Sequence, residues 1–304
     1  MERYFCALAS RDRDEVVLGT AARVDRWVLV ESPGPWGPRA LPQSRGLDED
    51  LLVALQHRVK AMHARLGLIR RPGRSGPTGP EGLGRVVYAA DCRPGHERLW
   101  RRIVAANDEL AALDPGFGSD DVPAGWEPAD ALVAVCTQGG HDACCALLGR
   151  PVAAALAESH PEVTWEISHV GGDRFAANVV VLPGGHYLGR VPPEQAGAVV
   201  DTVLGGHRPA PYYRGRGAWL TPVQAAQELV AEQLGVTALD GLSPRQLEQL
   251  QPHVWRVSLD APDGTVVAAE VEQREGTEAA RLTCHAKRER VPLIWHLRSI
   301  DQEG

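Results

Sequence analysis

Residues 131–150 read Ala131-Leu-Val-Ala-Val-Cys-Thr-Gln-Gly-Gly-His-Asp-Ala-Cys-Cys-Ala-Leu-Leu-Gly-Arg150. The opening run, Ala131 to Cys136, is unbroken and apolar, which predicts a strand buried on both faces. A Gly-Gly loop follows, then a helical stretch from about Ala143 to Ser159, with a jog expected at Pro151. Downstream, Thr164 to Ser168 reads as a strand. Asn178 to Pro183 and His186 to Val191 read as a hairpin across Gly184-Gly185. A helix from Pro193 to Leu204 closes the segment, started by Pro192-Pro193 and stopped by Gly205-Gly206. The order is β-α-β-β-β-α. One parallel crossover, a hairpin and a covering helix make the thioredoxin-like arrangement.

Proline- and glycine-rich stretches set this segment apart. Leu113 to Pro128 (LDPGFGSDDVPAGWEP) precedes it, and His207 to Pro211 (HRPAP) reads as a linker after it. Three domains are therefore expected, at 1–127, 128–208 and 209–304. The first is an α/β domain with a strand at Trp27 to Glu31 and a helix at about Asp48 to Leu66. Leu51, Leu52, Leu55, Val59, Met62 and Leu66 recur on one face of that helix. Strands at Leu66 to Arg70 and Arg85 to Ala89 follow, with an exposed loop between them at Arg71 to Gly84. This strand-helix-strand-strand order loosely repeats the middle segment, so a diverged thioredoxin-like repeat is one reading; no residue-level repeat establishes it. The last segment reads as a small α+β cap. Its helices are expected at Pro222 to Leu234 and Pro244 to Gln251, its strands at Trp255 to Leu259, Val266 to Gln273, Ala280 to Ala286 and Leu293 to Ser299.

The 304 residues are 44% hydrophobic and 23% charged, ordinary for a soluble globular chain. Runs such as Ala131 to Val135 and Val179 to Leu182 are too short to cross a bilayer. Met1-Glu2-Arg3-Tyr4 has no charged-then-apolar secretory pattern, so a cytoplasmic protein is expected. The net charge is −7 and no basic block appears, which argues against nucleic-acid binding. No membrane partner is expected either.

The cysteines are Cys6, Cys92, Cys136, Cys144, Cys145 and Cys284. Three of the six fall within ten residues, a clustering that favours metal or redox chemistry over a disulfide scaffold. Cys136 ends a strand, and Cys144 and Cys145 begin a helix, where unpaired N–H groups stabilise a thiolate. His169 and Asp173 flank Val-Gly-Gly after the next strand. Imidazole is a good ligand for iron and carboxylate a harder, usable one. Gly139, Gly140, Gly171 and Gly172 let the chain approach a bulky inorganic centre. Adjacent helical residues point about 100° apart, so only one of Cys144 and Cys145 faces such a site. The other is a packed small hydrophobe, as are Cys6, Cys92 and Cys284, which share no spacing. Asp173 beside Arg174 also fits a turn residue or salt-bridge partner, and His141 a loop residue, a nearby proton donor or a substitute ligand. Arg214 and Arg216 beside Tyr212 and Tyr213 read as a solvated linker.

Three motifs make the chain recognisable. The run from Cys136 through Pro151 resembles the sucrase/ferredoxin-like family, as do Ser168-His-Val-Gly-Gly-Asp-Arg-Phe-Ala and Leu182-Pro-Gly-Gly-His-Tyr-Leu-Gly-Arg. Gly19-Thr-Ala, Trp27-Val-Leu-Val-Glu-Ser-Pro-Gly-Pro-Trp-Gly and Tyr213-Arg-Gly-Arg add to the likeness. The family looks like a branch of the thioredoxin-like 2Fe–2S ferredoxins in which histidines can replace the second cysteine pair. The resemblance implies a 2Fe–2S cluster held by Cys136 and Cys145, with His169 at the third ligand position and Asp173 at the fourth. Asp173 departs from the bis-histidine version and would put one more negative charge on the centre.

An electron carrier without turnover of its own is the leading expectation, with a redox protein as donor and another as acceptor. One rival is a thioredoxin-like dithiol oxidoreductase using Cys136 and Cys144 or Cys145, although the usual Cys-x-x-Cys spacing is missing. Others are a structural zinc site on the same residues and a cofactor-free binding module. No carboxylate pair argues for sugar hydrolysis.

Overall fold

A computed structural model describes residues 3–40, 44, 47–73, 84–119 and 121–303. A short helix, α1 (Cys6–Asp12), precedes β1 (Arg26–Glu31), α2 (Glu49–Ala61), β2 (Arg65–Arg70) and β3 (Arg85–Asp91). Next come β4 (Arg98–Val104), α3 (Asn107–Ala111), β5 (Glu127–Pro128), β6 (Leu132–Cys136), α4 (Ala143–Ser159) and β7 (Thr164–Ile167). They are followed by β8 (Val179–Leu182), β9 (His186–Leu188), α5 (Ala196–Leu204), β10 (Tyr213–Arg216) and α6 (Thr221–Leu234). Four strands end the order: β11 (Ser243–Gln251), β12 (Val254–Asp260), β13 (Val266–Glu275) and β14 (Leu293–Glu303).

Ten strands form one sheet in the order β10-β9-β8-β6-β7-β2-β1-β3-β4-β5. At its centre β2 and β7 pair antiparallel through Ile69↔Ile167 and Arg70↔Glu166. Outward from that seam the two halves repeat the same pairings. Strands β2·β1 and β7·β6 are parallel, and each is followed by three antiparallel steps. The residues expected as separate domains, 1–127 and 128–208, thus share one sheet, and β10 from the expected third segment adds to its far edge.

Strand alternation sorts the core. Val28 and Val30 of β1 pack with Leu52, Leu55 and Val59 of α2, and Val133 and Val135 of β6 with Val152, Ala153 and Leu156 of α4. The alternate residues of those strands, Trp27, Leu29, Leu132, Ala134 and Cys136, share a single cluster with Tyr88, Trp165 and Tyr187. Both halves supply it, so the sheet curls until its other face closes on itself. Tyr88 meets Trp165 edge-on across that interior, with ring centroids 5.6 Å apart.

The segments differ from expectation in several places. α2 ends at Ala61, and a turn with His63 at φ 54° carries the chain into β2, so Leu66 belongs to the sheet. α4 runs unbroken through Pro151; Leu147, whose carbonyl loses its helical donor there, is exposed. Residues 244–251 are not a helix. Their Gln, Leu and Glu favour one, but pairing with β12 along the whole length prevails, and Pro244 sits at the strand start beside a bulge. Residues 280–286 form turns instead of a strand, with one bridge from Ala280 to Arg290. The four strands form an antiparallel meander on which α6 packs, burying Val223, Ala226, Val230, Val257 and Val271. His207 to Pro211 is no free linker: His207 bridges to Ala238, and Arg208 pairs with Glu228 at 2.9 Å. From 74 to 83, the loop expected at 71–84 lies outside the described residues. Among those described, no helix is long and apolar enough to cross a membrane.

His186 on β9 has Nδ1 2.8 Å from the Tyr213 hydroxyl. Burial, with Arg216 and Arg208 nearby, pushes its pKa down to about 3. An unfolded chain takes up that proton below pH ~6.5 and the folded chain does not, so stability is intact above 6.5 and declines as pH falls. The cost is about 2 kcal/mol between pH 6.5 and 5. Urea unfolding at the two pH values should show that loss, and His186→Gln should flatten it.

Candidate metal centre

The site is built from two loops at one end of the sheet. Alternation along β6 puts Cys136 on the inner face with Leu132 and Ala134, where it is 1% exposed. The loop after it carries Gln138 and His141. Asp142 then caps α4 by accepting the Cys144 N–H at 2.9 Å. One residue further on, Cys145 points back to Cys136, while Cys144 turns to Cys6 and Cys284.

The loop after β7 is fixed by side chains that take four successive carbonyls, His169 to Gly172. Arg65 donates to the carbonyls of His169 (2.7 Å) and Val170 (3.2 Å), Arg214 to Gly171 (3.1 Å) and Asn178 to Gly172 (2.8 Å). The His169 N–H donates to Gln138 Oε1 at 2.7 Å, and Gln138 Nε2 donates in turn to the Gly37 carbonyl. A loop pinned at every residue presents His169 and Asp173 in one geometry.

Cys136, Cys145 and His169 have donor atoms within 4.8 Å of one another, and so do His141, His169 and Asp173. The expected residues Cys136, Cys145, His169 and Asp173 thus meet in one place. Asp173 Oδ1 lies 3.5 Å from Cys145 Sγ and 3.1 Å from His169 Nδ1. That second contact lacks hydrogen-bond direction, which leaves the buried His169 Nδ1 without a hydrogen-bond partner. His141 stacks on His169 with ring centroids 3.8 Å apart, its side chain 40% exposed at the rim. An imidazole ring that meets two thiols and a carboxylate, with its buried Nδ1 lacking a hydrogen-bond partner, fits a metal or an iron–sulfur centre.

Charge follows the same geometry. The Cys145 thiol, the His169 ring and the Val170 amide hold the Cys136 thiolate well below the usual thiol range, against burial. Cys145, facing that thiolate, is pushed up. Burial pulls His169 down, but Cys136 and Asp173 outweigh it and raise its pKa. Burial raises Asp173, with His169 partly offsetting it.

The four glycines expected beside a cofactor have protein neighbours. A Cβ on Gly140 would lie 3.1 Å from the Gly37 and Trp36 backbone, and one on Gly139 2.7 Å from Ala146. Gly172, at φ 83°, leaves room for the Arg214 guanidinium, 2.3 Å from where its Cβ would sit. Gly171, at φ 100°, faces Ala22.

Arg214 corrects the linker expectation most sharply. It is 1% exposed and also donates to Asn178 Oδ1 (2.8 Å), Thr20 Oγ1 (3.1 Å) and the Thr20 carbonyl. Burial pushes its pKa down to about 10. Arg216, on the same strand, pairs with Glu97 and donates to the Cys92 carbonyl. Sequence reasoning also missed Arg65, Gln138 and Asn178, whose roles depend on distant partners. Cys6, Cys144 and Cys284, read as inert, converge on the buried Asp142.

Fold and site together define an α/β protein with a mixed thiol, imidazole and carboxylate donor set able to hold a transition metal. The chain belongs to the sucrase/ferredoxin-like family, whose pattern it matches over residues 17–215. Among solved structures it is similar to a variant of the thioredoxin-like 2Fe–2S ferredoxin from Aquifex aeolicus. The identity is 26%, over 28% of this chain and 99% of that one, with a TM-score of 0.25. That score is too low for the fold to be read from the likeness. No curated protein matches the chain.

Proposed function

We propose that the protein binds a 2Fe–2S cluster through Cys136, Cys145, His169 and Asp173 and carries single electrons between redox proteins. The observation that carries this reading is the convergence of two buried thiols on the His169 ring, whose buried Nδ1 has no hydrogen-bond partner. When bound, such a centre supplies one-electron chemistry. The chain's own groups do the rest. Arg65, Gln138, Arg214 and Asn178 orient the donor loop, and the curled sheet excludes water from the thiols. His141 and the edge of His169 form the exposed rim, where a redox partner would dock. In the same reading the sheet joins a ferredoxin-type half, about 128–208, to a diverged thioredoxin-like half that lacks the cysteine pair. Their repeated strand order supports this.

Anaerobically purified protein should be brown, bleach with dithionite and give a rhombic EPR signal on reduction. A colourless, iron-free protein after supply of iron and sulfide would sink the proposal. The buried sulfurs of Cys136 and Cys145, within 4.8 Å of one another, also favour a second reading, a dithiol oxidoreductase. A colourless chain that cycles reversibly between two thiols and one disulfide would establish it instead. Burial of both sulfurs makes it the weaker reading, since a protein disulfide could not reach them.

A further inference from the structure

We propose that Cys6, Asp142, Cys144 and Cys284 form a second, mononuclear metal site that takes zinc. The four come from three distant parts of the chain: the start of α1, the start of α4 and the irregular segment between β13 and β14. Cys284 Sγ lies 3.5 Å from Cys144 Sγ and 3.6 Å from Cys6 Sγ, and Cys6 Sγ lies 3.7 and 3.8 Å from the two Asp142 oxygens. All four donors fall within 4.8 Å of one another. Tetrahedral zinc with Zn–S bonds of about 2.3 Å spaces its sulfurs about 3.8 Å apart, so one ion spans the group.

Asp142 needs such an ion. Its carboxylate is fully buried, and no Arg, Lys or His pairs with it among the described residues. Two amides, Cys144 N–H and Cys284 N–H, donate to it at 2.9 and 2.8 Å, and its remaining lone pairs face the thiols. A buried carboxylate without a cation is costly, and a divalent ion supplies the compensating charge. Three sulfurs and one oxygen form a soft, closed donor set, which selects zinc in a structural role. Successive residues of α4 would then serve different centres: Cys144 faces this site and Cys145 the other, about 100° apart around one helix end. The ion would fasten α1 and the turns around Cys284 to α4.

Metal analysis and cobalt substitution on the full chain test this. With zinc supplied, the protein should hold about one zinc per chain, whatever its iron content. Cys284→Ser and Cys6→Ser should lower zinc at least about tenfold and leave any iron–sulfur absorption in place. Cys136→Ser should lose iron and keep zinc, so this site and the proposed cluster fail separately. The unsubstituted chain loaded with Co2+ should show thiolate-to-cobalt charge transfer and tetrahedral d–d bands, a readout independent of how the variants fold. No zinc and no cobalt spectrum in the unsubstituted chain would overturn the site. So would zinc content unchanged in Cys284→Ser, or a Cys144–Cys284 disulfide in protein kept reduced and supplied with zinc.

Discussion

Cys136→Ser should strip the protein of visible absorption and lower its iron from about two atoms per chain at least about tenfold. The sulfur sits at the inner end of β6, 1% exposed, and its thiolate is held by the Cys145 thiol, the His169 ring and the Val170 amide. A serine hydroxyl stays protonated near neutrality and is a hard, weak ligand, so it cannot replace the thiolate toward iron. Cys145→Ser should have the same effect from the other side of the pair. Cys92→Ser is the control: Cys92 is fully buried against Gly185 and belongs to none of the donor groups, and iron should stay. Because ligand binding adds to folding free energy, the cluster-free variants should also melt at lower temperature than the loaded protein. Iron analysis, absorption and thermal melts on the three variants decide the matter. Full iron in Cys136→Ser would refute the ligand assignment.

Arg214→Met should destabilise the fold by about 3 kcal/mol or more. Methionine keeps the length and removes every donor. The Gly171 carbonyl, the Asn178 amide oxygen and both Thr20 oxygens would then lose a buried partner at once. Gly172 turns at φ 83° against the guanidinium, so the turn between His169 and Asp173 loses its backing as well. Urea titrations of metal-free protein should show the fall in midpoint, and iron uptake should weaken with it. Arg214→Lys should recover only part of the loss, because one ammonium cannot reach acceptors that the planar fork meets together. A midpoint unchanged in Arg214→Met would show that water already satisfies those groups.

What could be read from the sequence was local. The strand ending at Cys136, the Gly-Gly loop, the capped helix and the hairpin across Gly184-Gly185 each rest on signals spanning a few residues, and each lies where expected. The joining of the first two segments was not legible. It depends on β2 meeting β7 through two residue pairs, and nothing in Ile69 or Ile167 announces its partner. Residues 244–251 carry helix-forming Gln, Leu and Glu, yet long-range pairing decides their state. The site divides in the same way. Cys136, Cys145, His169 and Asp173 flank or lie on two glycine-marked loops. Arg214 acts on Thr20, 194 positions away, and Cys284 meets Cys6 across 278. Separations of that size leave no periodicity to find.

The β2·β7 seam has a consequence for stoichiometry. Two identical units meeting about a two-fold axis would pair edge strands in just this antiparallel way, and each would present its own donor loop. Here both halves are on one polypeptide, and the loop after β1 offers Ser32, Pro33, Gly34, Pro35 and Trp36 where the loop after β6 offers Gln138, His141 and Asp142. That first loop lies against the second instead of duplicating it, through Gly37 and Gln138. A centre held by the donor loop is therefore single and off-axis. Electrons would enter and leave on one side of the molecule, and a partner would meet one orientation of it, where a symmetric pair would offer two.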